Sequence, residues 1–366
     1  MGSTIIFDIS GHGYGHLAQI APLVRLAMER TGTRRVILRS AHNAELAERI
    51  VGVSGLRTVP PPPDPGLAMR GPVRADVRTT LRRYRELHDA LPRILEHEAR
   101  RLECLGAALL VSDVGYIGPA AAARAGIPSF ALSSLHWEEI LAAFLPDTAE
   151  VRRIRDGIVE AYGRAAAFLL AAPRRSVPRL DHVVPIGPLV RGRGRNMREF
   201  LLRRIGARPD TRLCYVSFGG IGGAHPMLKL PDARGWAWIL ADRMPRNLRG
   251  ACAVSADEIA GLDALDLIAS CDLVLTKTGY GTFTECVAHG TPCAFLSRPD
   301  WPEAHDLEEW ISASGLGMPV TASMLSDGSW LEAAEGLRRS RPRPEIFTGA
   351  EDALAFITRT CGPLPA

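Results

Sequence analysis

Lysine is almost absent from this chain: of 44 basic residues only Lys229 and Lys277 are lysines, and the rest are arginines. Positive charge therefore comes as planar guanidinium, which suits paired recognition of carboxylate or phosphate. Long apolar runs are missing too. The longest, such as Ala165 to Ala172, fall far short of the roughly 18 residues that a membrane-crossing helix needs. The seven cysteines are odd in number and show no CxxC spacing. That argues against a disulfide framework or a zinc ribbon and for reduced thiols in a cytoplasm. The N-terminus lacks a charged region before its first apolar run, so no signal peptide is expected. Ile6 stands where a myristoylation signal wants Ser or Thr. Aromatic residues, 6% of the chain, seldom interleave with the arginines, so nucleic acid is not an expected partner.

What is present begins with size. At 366 residues and 46% hydrophobic, the chain can bury two ordinary cores. The net charge is +4, but it is unevenly spread. Arg70 to Arg101 carries nine arginines against five acids, and Arg191 to Arg208 carries seven against Glu199. Solvated arginine faces account for such a bias. The sharper reading is attraction to an anionic acceptor or a membrane surface. The expected location is cytoplasmic, and the sharper reading would add a peripheral place at the inner membrane face.

The first half alternates strands and helices. Ile5-Ile6-Phe7 reads as a strand, and Gly11-His12-Gly13-Tyr14-Gly15-His16 as a glycine turn. The stretch from Leu17 to Glu29 reads as a helix with Leu17, Ile20, Ala21, Val24 and Ala27 on one face. Val36 to Leu38 is a second strand, and Pro60 to Pro63 can only be a loop. Thr79 to Leu105 is helical with a break near Pro92, and Ala108 to Ser112 is a strand ending at Asp113. Ser176 to Arg208, rich in glycine, proline and arginine, reads as an interdomain linker. A second round follows: a strand from Arg212 to Phe218, Gly219 to Gly223, and strands at Trp236 to Leu240 and Ala251 to Val254. Then come a strand from Asp272 to Thr276, a second glycine turn from Lys277 to Thr282, and a helix from Phe283 to Ala288. Alternating βα units imply parallel, doubly wound sheets, with ligands at the carboxyl ends of the strands.

Two stretches carry a family resemblance. SFGGIGG and DLVLTKTGYGTFTECVAHGTPCAFLSR are similar to the C-terminal domain of the family that includes the undecaprenyl-linked GlcNAc transferase of peptidoglycan synthesis. SGHGYGHLAQ and LVSDVGYIGPAAAARAGIPSFALSSLHWEE resemble the N-terminal domain of arabinokinase-like proteins. The resemblance implies a GT-B fold, two Rossmann-like doubly wound parallel-sheet domains facing across a cleft. The expected division is 1–188 on the acceptor side, 189–348 for the nucleotide sugar, and 349–366 as a helix crossing back to the first domain. No GLSSSA-type phosphate loop occurs, so sugar phosphorylation is not expected.

The implied activity is inverting, metal-independent transfer of a sugar from a nucleotide-diphosphate sugar to a hydroxyl acceptor, with no cofactor. Uridine is the nucleotide the family favours. The resemblance implies that His16 is the general base, a task suited to an imidazole titrating near neutrality. His12 could take its place or bind phosphate, and Asp113 would orient the histidine. A zinc site on His12 and His16 lacks a recognisable third ligand. On the donor side, Gly219, Gly220, Gly222, Gly223, Gly279, Tyr280 and Gly281 would bring backbone close to the diphosphate. Thr278 and Thr282 would add hydroxyls, and Lys277 would add charge. Glu285 would accept hydrogen bonds from the ribose hydroxyls. Glu303, with Asp300, His305 and Asp306, would face the donor sugar. The alternatives are a UDP-sugar 2-epimerase-like isomerase and a non-catalytic sugar-nucleotide-binding protein. A nicotinamide enzyme is disfavoured because Val36 to Ser40 carries no carboxylate for a ribose diol.

Overall fold

The computed structural model describes residues 3–32, 35–70, 75–218, 228–231, 233–241, 253–255, 262–337 and 344–364. Two parallel sheets organise it. The first has seven strands: β1 (Thr4–Ile9), β2 (Val36–Arg39), β3 (Arg57–Val59), β4 (Ala107–Asp113), β5 (Ser129–Ser133), β6 (Ala167–Ala171) and β7 (Val183–Ile186). They lie in the order β3-β2-β1-β4-β5-β6-β7. The second has six: β8 (Arg212–Val216), β9 (Trp236–Leu240), β10 (Ala253–Ser255), β11 (Leu273–Lys277), β12 (Cys293–Leu296) and β13 (Gly317–Val320). Their order is β10-β9-β8-β11-β12-β13. Each sheet reverses its winding once, between β1 and β4 and between β8 and β11. Such switch points leave a crevice beyond the strand ends.

Side-chain alternation along β1 feeds two cores. Ile5, Phe7 and Ile9 pack with Leu17, Ile20, Ala21 and Val24 of α1 (Tyr14–Thr31). Ile6 joins Ile37 and Leu110 in a separate cluster on the other face. The buried positions of α1 recur every three to four residues, as one helical face requires. The arginine-rich stretch forms α3 (Val77–Asp89) and α4 (Leu91–Cys104), after α2 (Ala44–Val51). They meet at Ala90, and Pro92 lies in the first turn of α4, where its missing N–H costs nothing. The acid-poor look of that stretch is a property of the segment alone. Arg85 meets Glu150 from outside the stretch, while Arg101 meets Glu98 within it.

The expected linker is shorter than its composition suggested. Val183–Ile186 is the last strand of the first sheet, and α8 (Arg198–Arg204) belongs to the second. Between them, the arginines anchor to the second sheet's helices. Arg191 pairs with Glu285, Arg195 with Asp266, and Arg198 with Asp272. The glycine turns are also shorter, because α1 begins at Tyr14 and α10 (Tyr280–His289) at Tyr280. The remaining helices before the second sheet are α5 (Ile117–Arg124), α6 (Trp137–Phe144) and α7 (Ala149–Tyr162). Those within and after it are α9 (Ala264–Ser270), α11 (Ala304–Ala313), α12 (Ala322–Asp327), α13 (Trp330–Ala334) and α14 (Gly349–Cys361). Helix α14 packs against α1 and β7. No described helix is long and apolar enough to cross a membrane.

Candidate functional site

Parallel pairing sets Ile9 beside Asp113 at the ends of β1 and β4, the first sheet's switch point. The chain then leaves β1 through residues 10–13, with Gly13 at a positive φ of 96°. His16 follows in the first turn of α1. Its Nδ1 lies 3.3 Å from Asp113 Oδ1, although 97 residues separate the two. Asp113 is fully buried, and the His16 side chain is 12% exposed. Burial by itself would lower the His16 pKa. The charge and hydrogen bond of Asp113, with the charges of Asp64 and Glu303, outweigh burial and leave it raised. Burial raises Asp113 against the attraction of His16. His12 behaves oppositely: burial, then His16, Lys277 and Arg298, pull its pKa down to about 4. At neutral pH His12 is an uncharged hydrogen-bonding group.

The second sheet supplies cations. Lys277 ends β11, and burial with nearby Arg298 lowers its pKa to about 8. Arg298 lies over the Trp301 ring, 4.2 Å from its centroid. Gly279 is the N-cap of α10 and carries no side-chain cap, so the first backbone N–H groups of that helix are left for a ligand. The Thr278 hydroxyl donates to Glu308 and is fully buried. The Tyr280 hydroxyl accepts from Leu189 N at 2.8 Å, so its side chain serves the crossing stretch. Gly281 and Thr282 lie in the first turn of α10. Gly219, Gly220, Gly222 and Gly223 lie outside the described residues.

Glu285 is neither solvated nor free. It is 6% exposed and accepts from Arg191 Nε at 2.6 Å. Glu303 is 4% exposed and spans the domains, accepting from Ser134 Oγ at 2.7 Å and from Trp301 Nε1 at 3.2 Å. Arg174 adds a second tie, donating to Pro302 O at 2.6 Å and to Glu139 at 2.5 Å. Asp306 sits 3.6 Å from Arg174, while His305 is exposed. Asp263 and Asp266 have structural work: the first caps α9 and the second pairs with Arg195. Among the described residues no group of three or more His, Cys, Asp or Glu could hold a metal ion.

Asp64 was missed from the sequence. It sits between Pro63 and Pro65 in the strap that follows β3, and its charge reaches His16 and Asp113. The only local signal was an acid held inside a proline run, where backbone freedom is small. Trp137 was missed as well. Its ring centroid lies 5.5 Å from that of His12 and 6.0 Å from that of His16.

No known family model matches the chain. An L-arabinokinase from Arabidopsis thaliana is 26% identical over 91% of this chain, a match that runs through both halves. The chain spans only 32% of that relative's length. A glycosyltransferase of Methanopyrus kandleri, itself uncharacterized, is 24% identical over 71% of this chain and 77% of its own. Among solved structures, the calicheamicin glycosyltransferase CalG4 superposes with a TM-score of 0.58 at 17% identity, covering 98% of this chain and 100% of the other. Arabidopsis thaliana UGT89C1, solved with UDP, gives 0.60 at 12%, over 99% and 100%. A Listeria monocytogenes protein assigned as a UDP-N-acetylglucosamine 2-epimerase gives 0.55 at 11%, over 98% and 97%. The chain has the GT-B fold of these glycosyltransferases.

Proposed function

We propose that this protein is an inverting, metal-independent glycosyltransferase that uses a nucleotide-diphosphate sugar, with UDP as the nucleotide. The observation that carries the reading is the His16–Asp113 pair at one switch point, within electrostatic reach of residues beside the other. The charges of Lys277 and Arg298 act on His12, in the same turn as His16. One side of the cleft thus offers a base and the other offers cations. The fold shared with the UDP-bound UGT89C1 and the calicheamicin glycosyltransferase supports this reading, as does the Methanopyrus relative.

In this mechanism Nδ1 of His16 donates to Asp113, which leaves the Nε2 lone pair for the acceptor. Nε2 takes the acceptor's hydroxyl proton as the oxygen attacks the anomeric carbon from the face opposite the diphosphate. A carbon–oxygen bond forms there, and the sugar–phosphate bond breaks. The nucleoside diphosphate leaves with the electron pair, so the anomeric configuration inverts. The imidazolium that forms is stabilised by Asp113. The α10 N-terminus, Lys277 and Arg298 meet the charge on the departing diphosphate, the role a metal would otherwise fill. Glu285, held by Arg191 one turn inside α10, accepts hydrogen bonds from the ribose hydroxyls in this reading. The division 1–188, 189–348 and 349–366 accompanies this reading, with the acceptor on the first domain.

The test is a panel of nucleotide sugars offered in chelator with simple hydroxyl acceptors, read by NMR. A glycosidic product of inverted configuration is expected. An isomerised sugar with free UDP would instead make the protein an epimerase, and donor binding without turnover would make it a sensor.

A further inference from the structure

Several buried polar atoms around His16 have no hydrogen-bond partner in good geometry. Neither oxygen of the Asp64 carboxylate meets a hydrogen-bond donor in good geometry, and the same holds for Asp113 Oδ2 and Trp137 Nε1. The Ser10 hydroxyl and the Trp137 indole reach Asp64 and lower its pKa by loose hydrogen bonds, but neither contact has the geometry of a full one. The Tyr84 hydroxyl, also buried and unpaired, feels the Asp64 charge. Buried polar groups normally find partners, and leaving a charged one unmet costs more than a neutral one. Four such atoms at one histidine mark a place built for an occupant.

The strap makes the arrangement rigid. Asp64 is flanked by Pro63 and Pro65, and Pro60 O accepts from Arg101 at 2.7 Å. At the far end, Ala68 N donates to Thr80 Oγ1 at 3.0 Å, and Ala68 O accepts from Asp76 N at 2.7 Å. Gly66 has φ +54°, and a Cβ there would lie 2.7 Å from His12 Nδ1. The strap is therefore pressed onto the catalytic turn, which holds Asp64 in place before any ligand arrives.

The chemistry of the unmet atoms selects the ligand. Three are acceptors, two on Asp64 and one on Asp113, and the Trp137 indole is a donor. An ammonium group can only donate, and a carboxylate or phosphate can only accept. Adjacent hydroxyls do both. We propose that these groups form a polyol subsite beside His16, in which Asp64 selects an acceptor carrying neighbouring hydroxyls. Its role as the acceptor site rests on the transferase reading; the polyol contact itself does not. An acceptor of this kind is neutral at the reacting end, and the cations of the cleft are left to the donor.

Nitrogen-15 spectra of the indole N–H groups test this, with the Trp137 resonance identified by its loss in Trp137→Phe. Methyl glycosides bearing vicinal hydroxyls are titrated against their monodeoxy counterparts. The Trp137 signal is expected to shift with the diols, with roughly tenfold to hundredfold weaker binding of the deoxy compounds, as lost hydrogen bonds to a charged group imply. Asp64→Asn should erase that preference while the other indole signals stay put. The wild-type comparison does not depend on Asp64→Asn and stands if that variant misfolds. A wild-type signal unmoved by diols at tens of millimolar, or an equal response to deoxy compounds, overturns the proposal. So does a preference that survives in Asp64→Asn. Calorimetry with nucleotide sugar alone reports separately on the transferase reading.

Discussion

His16 is governed by its neighbours more than by its own burial. In the proposed mechanism the base must be neutral to act, and the raised His16 pKa should place the acid limb of kcat/KM above the ordinary value of 6.5. Asp113→Asn removes the charge that raises it, so that limb should move to lower pH while turnover falls. A pH profile of the variant checks this. His16→Ala should lower turnover by roughly 10²–10⁴-fold and leave donor affinity intact, as titration calorimetry with the donor would show. If His12→Ala carries the large loss instead, the two roles are exchanged. Asp64 bears on stability. Its folded pKa is raised, chiefly by burial, so its contribution to stability is fully present below the unfolded value of 3.8 and fades as pH rises through the folded pKa. Asp64→Asn should therefore raise Tm more at pH 8 than at pH 4. A Tm difference independent of pH would mean that Asp64 stays unstrained by burial.

At the scale of elements, α10 and α14 carry the most weight. The buried Arg191–Glu285 pair ties α10 to the crossing stretch, and removing one partner strands the other charge. Glu285→Ala should thus lower Tm as well as weaken donor binding by about 1–3 kcal/mol, the cost of lost charged hydrogen bonds. A donor analogue without ribose hydroxyls separates the two effects, since only the binding loss should depend on it. Helix α14 meets the first domain through glycine. A Cβ on Gly349 would lie 2.2 Å from Gly187 O, and Asp352 accepts from Gly187 N at 3.1 Å. Gly349→Ala should cost about 1–3 kcal/mol by overpacking and lift the helix from β7. Thermal unfolding measures the loss, and hydrogen exchange along α14 locates it.

Across the whole molecule, the polar contacts that join the two domains at the site among the described residues include Ser134 to Glu303, Arg174 to Pro302 O and Asp306, and Arg175 to Asp306 and Glu309. Burial raises the Glu303 pKa, so its interdomain bond answers to protonation. A cleft tied by such contacts can close over a ligand by rotation at a few backbone positions. Donor binding should reduce the radius of gyration in solution scattering, and a constant radius at saturating donor would refute closure. Of the arginines that looked like a binding face from the sequence, Arg85, Arg191, Arg195 and Arg198 pair with acids contributed by other elements, and Arg82, Arg100, Arg101 and Arg203 with acids of their own helices. Arg85 with Glu150 is an exposed example. An anionic acceptor thus has less support from arginine content than the sequence suggested.

Periodicity and turn chemistry were enough to determine the alternation of strands and helices, the doubly wound class, and the placement of His16 after a strand; Lys277, read as the start of the turn, is the last residue of β11. Those features are local: a parallel strand is a short apolar run, and a glycine turn before a helix is written in consecutive residues. The helix starts at Tyr14 and Tyr280 escaped because glycine is a poor helix former, yet both turns wind helically once packed. Strand β7 escaped because Pro185 and its neighbours resemble a linker; an edge position tolerates the proline. Only the tertiary structure decided that Asp113 meets His16, that Glu285 meets Arg191, and that Asp64 reaches Ser10 and His16. Each contact joins residues far apart in the chain, and strand order brings the first pair together. No local pattern encodes which strand lies beside which, because register and crossover are settled by the burial of whole faces.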